Sequence, residues 1–191
     1  MFIVIEGIDG TGNSTQVKLL GEWFARAGRD VVLSREPTDG RWGRKLRESA
    51  AAGRLDAATE LEYFLSDRRQ HVEELIRPSL AAGKVVILDR YYFSTMAYQG
   101  ARGFDPGEIR RKNEAFAPVP DHLFILDLDV DAALVRIGSR GDIANEFEQR
   151  ESLEACRRVF LSLAGEPFVH IIPCGDAIKA VHARITGCLD S

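Results

Sequence analysis

Residues 3–15 contain the residue types and spacing best suited to chemistry on phosphate. They read Ile-Val-Ile-Glu-Gly-Ile-Asp-Gly-Thr-Gly-Asn-Ser-Thr, an apolar run followed by a glycine-rich turn. The turn matches the phosphate-loop pattern G-x-x-x-x-G-K-[ST] except at one position, because Asn13 stands where the pattern has lysine. Loops of this kind bind nucleoside triphosphates. The sequence therefore predicts a triphosphate site that lacks the usual ammonium group.

The glycines of this turn have a clear physical purpose. Gly7, Gly10 and Gly12 allow the backbone N–H groups to turn inward as an anion nest at the start of the next helix. The Ser14 hydroxyl is placed to bind Mg²⁺ between phosphates, and Thr15 offers a further hydroxyl or amide to them. A turn that merely packs tightly is the weaker interpretation, because strand, loop and helix occur together.

Asn13 affects rate more than binding. It donates hydrogen bonds but carries no charge, and loss of one preorganised donor typically lowers a rate on the order of 10²- to 10³-fold. Lys18 is a poor substitute, because five helical residues rotate it about 140° away from position 13. We therefore expect slow chemistry rather than none.

A second polar cluster follows another apolar run. Asp89, Arg90 and Tyr91 come directly after Val85-Val86-Ile87-Leu88, so Asp89 is expected to reach a magnesium ion through water. The planar guanidinium of Arg90 suits two-point capture of a phosphate. A structural Asp-Arg ion pair at a helix start is the alternative.

Two other segments have weaker signals. Phe64 and Arg68 are four residues apart in a helical stretch, which places a ring and a cation on one face. The polar segment at about 136–151 contains two glycines between arginines and is typical of a closing lid. The alternative for Phe64 is a core residue, and the alternative for the polar segment is a solvated turn between two helices.

The elements that must position these residues are visible as five apolar runs between helical stretches. The runs are Phe2–Glu6, Val31–Ser34, Val85–Leu88, His122–Leu126 and Val169–Ile172. Helical spacing follows the first run from about Ser14 to Ala27. The pattern predicts an α/β fold with a five-stranded parallel sheet and helices on both faces. Ligands bind beyond the carboxyl ends of such strands, where the polar clusters fall.

Composition limits the protein class. A chain of 191 residues with 45% apolar content and no compositional break predicts one domain, 1–191. A net charge of −4 argues against a general nucleic-acid or membrane-surface binder. Three scattered cysteines fit reduced thiols in the cytoplasm, and no apolar run is long enough for a membrane span.

These residues resemble the thymidylate kinase (dTMP kinase) family over most of the chain. The matching segments are Ile5–Gly12 with Ser14-Thr15-Gln16, Arg35-Glu36-Pro37, Phe64 with Arg68, Asp89–Gly100, and Pro120-Asp121 leading to Leu126-Asp127. The run from Asp-Arg-Tyr to Ala-Tyr-Gln-Gly is highly specific. The resemblance implies a P-loop nucleoside monophosphate kinase-like fold with a mobile lid. It also implies transfer of the γ-phosphoryl group of ATP to dTMP with Mg²⁺, in a cytoplasmic homodimer.

The same resemblance implies roles for individual residues. Phe64 would stack on thymine and Arg68 would hydrogen-bond its edge. Asp9 would contact the acceptor near its sugar or phosphate, and Arg90 would hold that phosphate. The remaining residues implied to line the pocket around the sugar and base are Ser94, Thr95, Tyr98 and Gln99.

Two departures from the family concern catalytic charge. Asn13 replaces the expected lysine, and Thr11 means that the loop carries no arginine of its own. A catalytic arginine should then come from the lid, where Arg140 is best placed and Arg136 and Arg150 are weaker candidates.

Two other functions stay open: a kinase for another nucleoside monophosphate, and a nucleotide-binding homologue impaired by Asn13. His71, His122, His170 and His182 lack metal-ligand spacing and are expected to be surface or core residues.

Overall fold

The strands agree with the apolar runs in the sequence. The computed structural model describes residues 1–53, 55–138 and 146–189. The strands are β1 (Phe2–Gly7), β2 (Val31–Arg35), β3 (Val85–Asp89), β4 (His122–Asp127) and β5 (Val169–Pro173). Each strand begins at the predicted residue and ends one residue later than predicted, so this prediction is confirmed.

Helical segments connect the strands. They are α1 (Asn13–Arg26), α2 (Arg41–Ala52), α3 (Ala57–His71), a π-helical turn (Val72–Ile76), α4 (Arg77–Ala81), α5 (Tyr92–Gly100), α6 (Pro106–Glu114), α7 (Val130–Gly138), α8 (Glu146–Leu161) and α9 (Ile178–Gly187). The predicted helix after the first strand is thus confirmed, shifted by one residue. Residues 139–145 of the predicted lid, including Arg140, lie outside the described residues.

The sheet is parallel throughout and has the order β2-β3-β1-β4-β5. The chain builds one side of β1 with β2 and β3, then crosses to build the other side with β4 and β5. Loops leaving the carboxyl ends of β1 and its neighbours diverge at this point, which opens a crevice. The register pairs Ile5 with Asp89 and Gly7 with Leu126, so the predicted polar clusters share one edge of the sheet.

The core surrounds the central strands. Consecutive residues from Phe2 to Glu6 and from Val85 to Leu88 are all buried. Because successive side chains point to opposite faces of a strand, helices must cover both faces of the sheet. All three cysteines are free thiols, and no helix within the described ranges is long and apolar enough to cross a membrane.

Candidate active site

The glycine-rich loop between β1 and α1 is held tightly by its neighbours. A Cβ atom at Gly7 would lie 2.7 Å from the Leu126 carbonyl oxygen, and one at Gly10 would lie 2.9 Å from the Ala133 carbonyl oxygen. Gly10 also has a φ of 88°, which favours glycine. The loop is therefore fixed against β4 and α7 and presents its other side to a cavity.

This cavity is called the donor-side cavity, because the phosphate loop beside it is predicted to bind the donor nucleotide. It has a volume of about 390 Å³. It is lined by Ile8, Asp9, Gly10, Thr11, Gly12, Asn13, Ser14, Thr15, Arg35, Glu36, Pro37, Arg47, Asp89 and Arg90. The lining thus combines the predicted loop with the polar residues that follow β2 and β3. A cavity with backbone N–H groups at a helix start and several arginines is suited to a polyanion.

Asn13 is turned into the loop. Its side-chain carbonyl oxygen accepts a hydrogen bond from the Thr11 hydroxyl at 3.0 Å, and the residue is only 6% exposed. The Thr11 hydroxyl also has the Ile8 carbonyl oxygen within reach, at 2.8 Å. Asn13 therefore stabilises the loop's own conformation and brings no charge to the cavity.

Cations reach the cavity from other elements. Arg35 and Arg47 each place Nη2 at 2.9 Å from Asp39 Oδ1, and Arg47 also donates to the backbone carbonyls of Pro37 and Thr38. Arg47 was not among the residues predicted from the sequence. The sequence gives only a weak signal for it. Arg47 lies four residues after Gly43, on the face of α2 that packs against the segment following β2.

Ser14 and Asp89, the two residues predicted to bind magnesium, are in contact with each other. The Ser14 hydroxyl donates to Asp89 Oδ2, which joins the start of α1 to the end of β3. A hydroxyl and a carboxylate are hard oxygen ligands of the kind Mg²⁺ prefers, and Mg²⁺ at nucleotide sites takes most of its other ligands from phosphates and water. The residues therefore fit the predicted magnesium position.

Arg90, in the second predicted cluster, has an unusual backbone conformation. Its φ is 69°, in the left-handed region that non-glycine residues rarely adopt. Its guanidinium contacts Asp9 Oδ1 at 2.6 Å, the Ser94 hydroxyl at 3.0 Å and the Gly7 carbonyl oxygen at 3.3 Å. Strain of this kind is typical of functional sites, where surrounding contacts over-determine it.

Glu6 supplies those surrounding contacts. Its fully buried carboxylate accepts hydrogen bonds from the Tyr91 N–H at 2.7 Å, the Ser94 N–H at 3.0 Å and the Ser94 hydroxyl at 2.5 Å. Burial is the main cause that raises the pKa of Glu6 to about 7, against the lowering effect of Arg90. Glu6 thus clamps the segment that follows Arg90 and fixes where its guanidinium lies.

Replacing Glu6 with glutamine is expected to flatten the pH dependence of folding stability. The pKa of Glu6 rises on folding from 4.5 to about 7, so between these values the folded protein holds a proton that the unfolded chain has released. The stabilisation from that proton is complete below the lower value and is lost as pH rises through the upper one. It corresponds to about 3 kcal/mol.

Urea unfolding of the wild type and of Glu6→Gln over this pH range measures the effect. Glu62→Gln, at an exposed position on α3, is the matched control and should keep the wild-type slope. An identical slope in wild type and Glu6→Gln would mean that Glu6 does not hold the proton in the folded protein.

A second cavity, of about 200 Å³, adjoins the first. It is lined by Asp9, Glu36, Pro37, Glu60, Phe64, Arg68, Arg90, Tyr91, Ser94, Thr95, Tyr98 and Gln99. The two cavities share Asp9, Glu36, Pro37 and Arg90, so a ligand in one can meet a ligand in the other at Arg90. The half-buried ring of Phe64 and the mostly apolar wall suit a flat base.

The second cavity is called the acceptor-side cavity, because its residues are predicted to bind dTMP. Arg68 lies at its inner end. It is 1% exposed and donates to Glu36 Oε2 at 2.7 Å, Asn113 Oδ1 at 2.6 Å and Thr95 Oγ1 at 3.1 Å. Gln99 is also engaged, with its amide donating to Glu60 Oε2 at 3.0 Å. The predicted base-reading residues are therefore brought together, but within a prebuilt polar network that spacing alone did not predict.

Tyr98 lines the same cavity beside Arg90. The Arg90 guanidinium lies 5.4 Å from its ring centroid, and its buried hydroxyl has no hydrogen-bond partner among the described residues. Burial raises the pKa of Tyr98 well above the ordinary value, against the lowering effect of Arg90. Tyr98 therefore remains a neutral phenol beside the cavity.

The two arginines of the predicted lid that lie within the described residues make different contacts. Arg136 donates to the carbonyl oxygens of Gly10 and Cys174, each at 3.3 Å, and so touches the phosphate loop. Arg150 pairs with Asp131 of α7. Of these two, Arg136 is the one that contacts the loop directly.

Comparisons with known proteins agree with this geometry. A family model described as thymidylate kinase matches residues 5–185. The chain is similar to the thymidylate kinase of Akkermansia muciniphila, with 51% identity over 187 residues that cover 98% of this chain and 90% of that protein. It is 47% identical over 192 residues to the thymidylate kinase of Xanthomonas euvesicatoria pv. vesicatoria, covering 99% of this chain and 84% of that protein.

A solved structure is similar over the whole length. The crystal structure of thymidylate kinase from Ehrlichia chaffeensis matches with a TM-score of 0.80 and 33% identity, covering 100% of this chain and 98% of that one. Similarity of fold and sequence thus extends over nearly the whole chain. The chain belongs to the thymidylate kinase family.

Proposed function

We propose that this chain transfers the γ-phosphoryl group of ATP to dTMP, yielding ADP and dTDP. The observation that carries the proposal is the pair of adjoining cavities that share Asp9 and Arg90. One cavity is built on a phosphate-binding loop and the other on Phe64 and Arg68. Family membership supports the same reaction.

The proposed chemistry depends mainly on positioning. An oxygen of the acceptor phosphate forms a bond to the γ-phosphorus of ATP while the bond from that phosphorus to the β–γ bridging oxygen breaks. Arg90 holds the acceptor phosphate and the loop backbone holds the donor phosphates, so attacking and leaving oxygens lie in line. Phe64 and Arg68 orient the thymine at the far end.

Ser14 and Asp89 are the residues that would hold Mg²⁺. Its charge would offset the negative charge of the donor phosphates. The Ser14 hydroxyl and the Asp89 carboxylate, already in contact, bring the start of α1 and the end of β3 together.

Further features of the proposal follow from the family. We propose a single domain over 1–191, a lid at about 136–151, and Arg140 as the preferred lid cation, with Arg136 and Arg150 as alternatives. A homodimer in the cytoplasm is part of the same proposal, and the three free thiols are compatible with a reducing compartment.

A coupled assay of ADP release with dTMP, dUMP, AMP, GMP and CMP tests the function. We expect clear preference for dTMP. Preference for a purine nucleotide would contradict the assignment of Phe64 and Arg68 and favour another monophosphate kinase. Tight binding of ATP and dTMP by calorimetry, without turnover, would instead support a nucleotide-binding homologue impaired at Asn13.

A further inference from the structure

A buried chain of hydrogen bonds connects β2 to Arg68. The Ser34 hydroxyl lies 2.8 Å from His71 Nε2, His71 Nδ1 lies 2.9 Å from Glu36 Oε1, and Glu36 Oε2 accepts from Arg68 Nε at 2.7 Å. His71 is 5% exposed. It is a core residue, as one of the expectations from sequence had it, but both of its ring nitrogens are bonded.

The partners fix the proton positions. A carboxylate can only accept, so Glu36 paired with Arg68 requires the hydrogen of His71 to be on Nδ1. Nε2 and the Ser34 hydroxyl form the second hydrogen bond of the ring. His71 therefore orients one oxygen of Glu36 while Arg68 occupies the other.

The local backbone supports a specific placement of His71. It is the last residue of α3, three residues after Arg68, and the π-helical turn Val72–Ile76 begins directly after it. Such wide turns in a helix are frequent at functional sites. His71 and Arg68 thus lie on one inward face, at the point where helical regularity is interrupted.

Stability alone is a weak reason for this arrangement. Buried ionic networks are often matched in stability by apolar residues of similar volume. What they provide, when every partner is satisfied, is one fixed arrangement of charged groups. Here the group at the end of the chain is the Arg68 guanidinium, which lines the acceptor-side cavity.

We propose that His71 is a positioning residue for the acceptor base: it holds the Glu36 carboxylate, which in turn fixes the Arg68 guanidinium at the inner end of the acceptor-side cavity. This inference rests on the proposed function, because it takes the flat ligand there to be thymine. Its consequence is that base discrimination depends on a histidine that touches no ligand.

Asparagine and glutamine at position 71 provide the sharpest test. The shorter asparagine side chain places its amide near the position of Nδ1, facing Glu36, whereas glutamine places it near Nε2, facing Ser34. We expect His71→Asn to bind dTMP within about threefold of wild type, and His71→Phe, which removes both bonds, to bind it about tenfold more weakly. His71→Gln should resemble His71→Phe.

Calorimetric affinities for dTMP, dCMP and ATP separate positioning from general loosening. In His71→Phe the preference for dTMP over dCMP should fall while ATP affinity stays at the wild-type value. His122→Phe is the matched control, because His122 begins β4 at the opposite end of the sheet from the site. It should leave all three affinities unchanged.

Two results would overturn the inference. One is unchanged dTMP affinity and preference in His71→Phe, and the other is glutamine restoring dTMP binding as well as asparagine does. The second comparison holds even if the phenylalanine variant does not fold. Failure of the wild type to bind dTMP would instead contradict the proposed function, independently of any His71 variant.

Discussion

Arg90→Ala is expected to weaken dTMP binding by about 2–3 kcal/mol, or roughly 30- to 150-fold, because a charge-assisted two-point contact to phosphate is lost. Arg90 is the cation that lines both cavities and is held in place by Ser94 and the Gly7 carbonyl oxygen. Calorimetric titration with dTMP measures the loss. ATP affinity should change much less, since the backbone of the phosphate loop is the group proposed to bind the donor.

Arg90→Gly separates the effect of losing the guanidinium from the effect of backbone strain at this position. Glycine adopts a φ of 69° without the strain that alanine meets there, so a similar loss in both variants would assign the effect to the side chain. Arg110→Ala removes an arginine that pairs with Glu114 and Glu166 away from the cavities, and it should bind dTMP normally. Unchanged dTMP affinity in Arg90→Ala would make Arg90 a structural residue.

Asn13→Lys is expected to raise the turnover number at least about tenfold with little change in dTMP affinity, because an ammonium group there chiefly stabilises charge that develops during transfer. The replacement removes the acceptor of the Thr11 hydroxyl, but that hydroxyl keeps the Ile8 carbonyl oxygen at 2.8 Å. The loop should therefore tolerate the change. Steady-state kinetics with saturating dTMP and ATP measure the gain.

Asn13→Met is the control for side-chain length without charge, and it should not raise turnover. No gain in Asn13→Lys would mean either that an arginine of the predicted lid already supplies the charge or that another defect disables the site. Arg136, which donates to the Gly10 carbonyl oxygen, would then be the first residue to test among those described.

The strands could be predicted because their apolar character reflects burial on both faces. Val85-Val86-Ile87-Leu88 is apolar throughout since helices cover either side of the sheet. The prediction ended each strand one residue too early, and Asp89 shows the reason. Asp89 still pairs with Ile5 in the sheet, but its polar side chain faces the site. In the sequence, a polar residue after an apolar run indicates a loop.

The parts of the candidate site that lie in one continuous segment of the chain could be predicted from the sequence. The phosphate loop and the segment from Asp89 to Gln99 line the expected cavities. The environment of Arg68 was not predictable, because Glu36, Asn113 and Thr95 come from distant parts of the chain and meet only through the fold. Periodicity places Arg68 on a helix face but cannot reveal these partners.

The contact between Asp9 and Arg90 places a carboxylate where the acceptor phosphate is proposed to bind. The Asp9 carboxylate pairs with Arg90 at 2.6 Å, so a phosphate that binds Arg90 would compete with it. Asp9 precedes Gly10 in the phosphate loop, so its release alters the loop that faces the donor. Thermodynamic linkage then requires each nucleotide to influence the affinity of the other to the same degree.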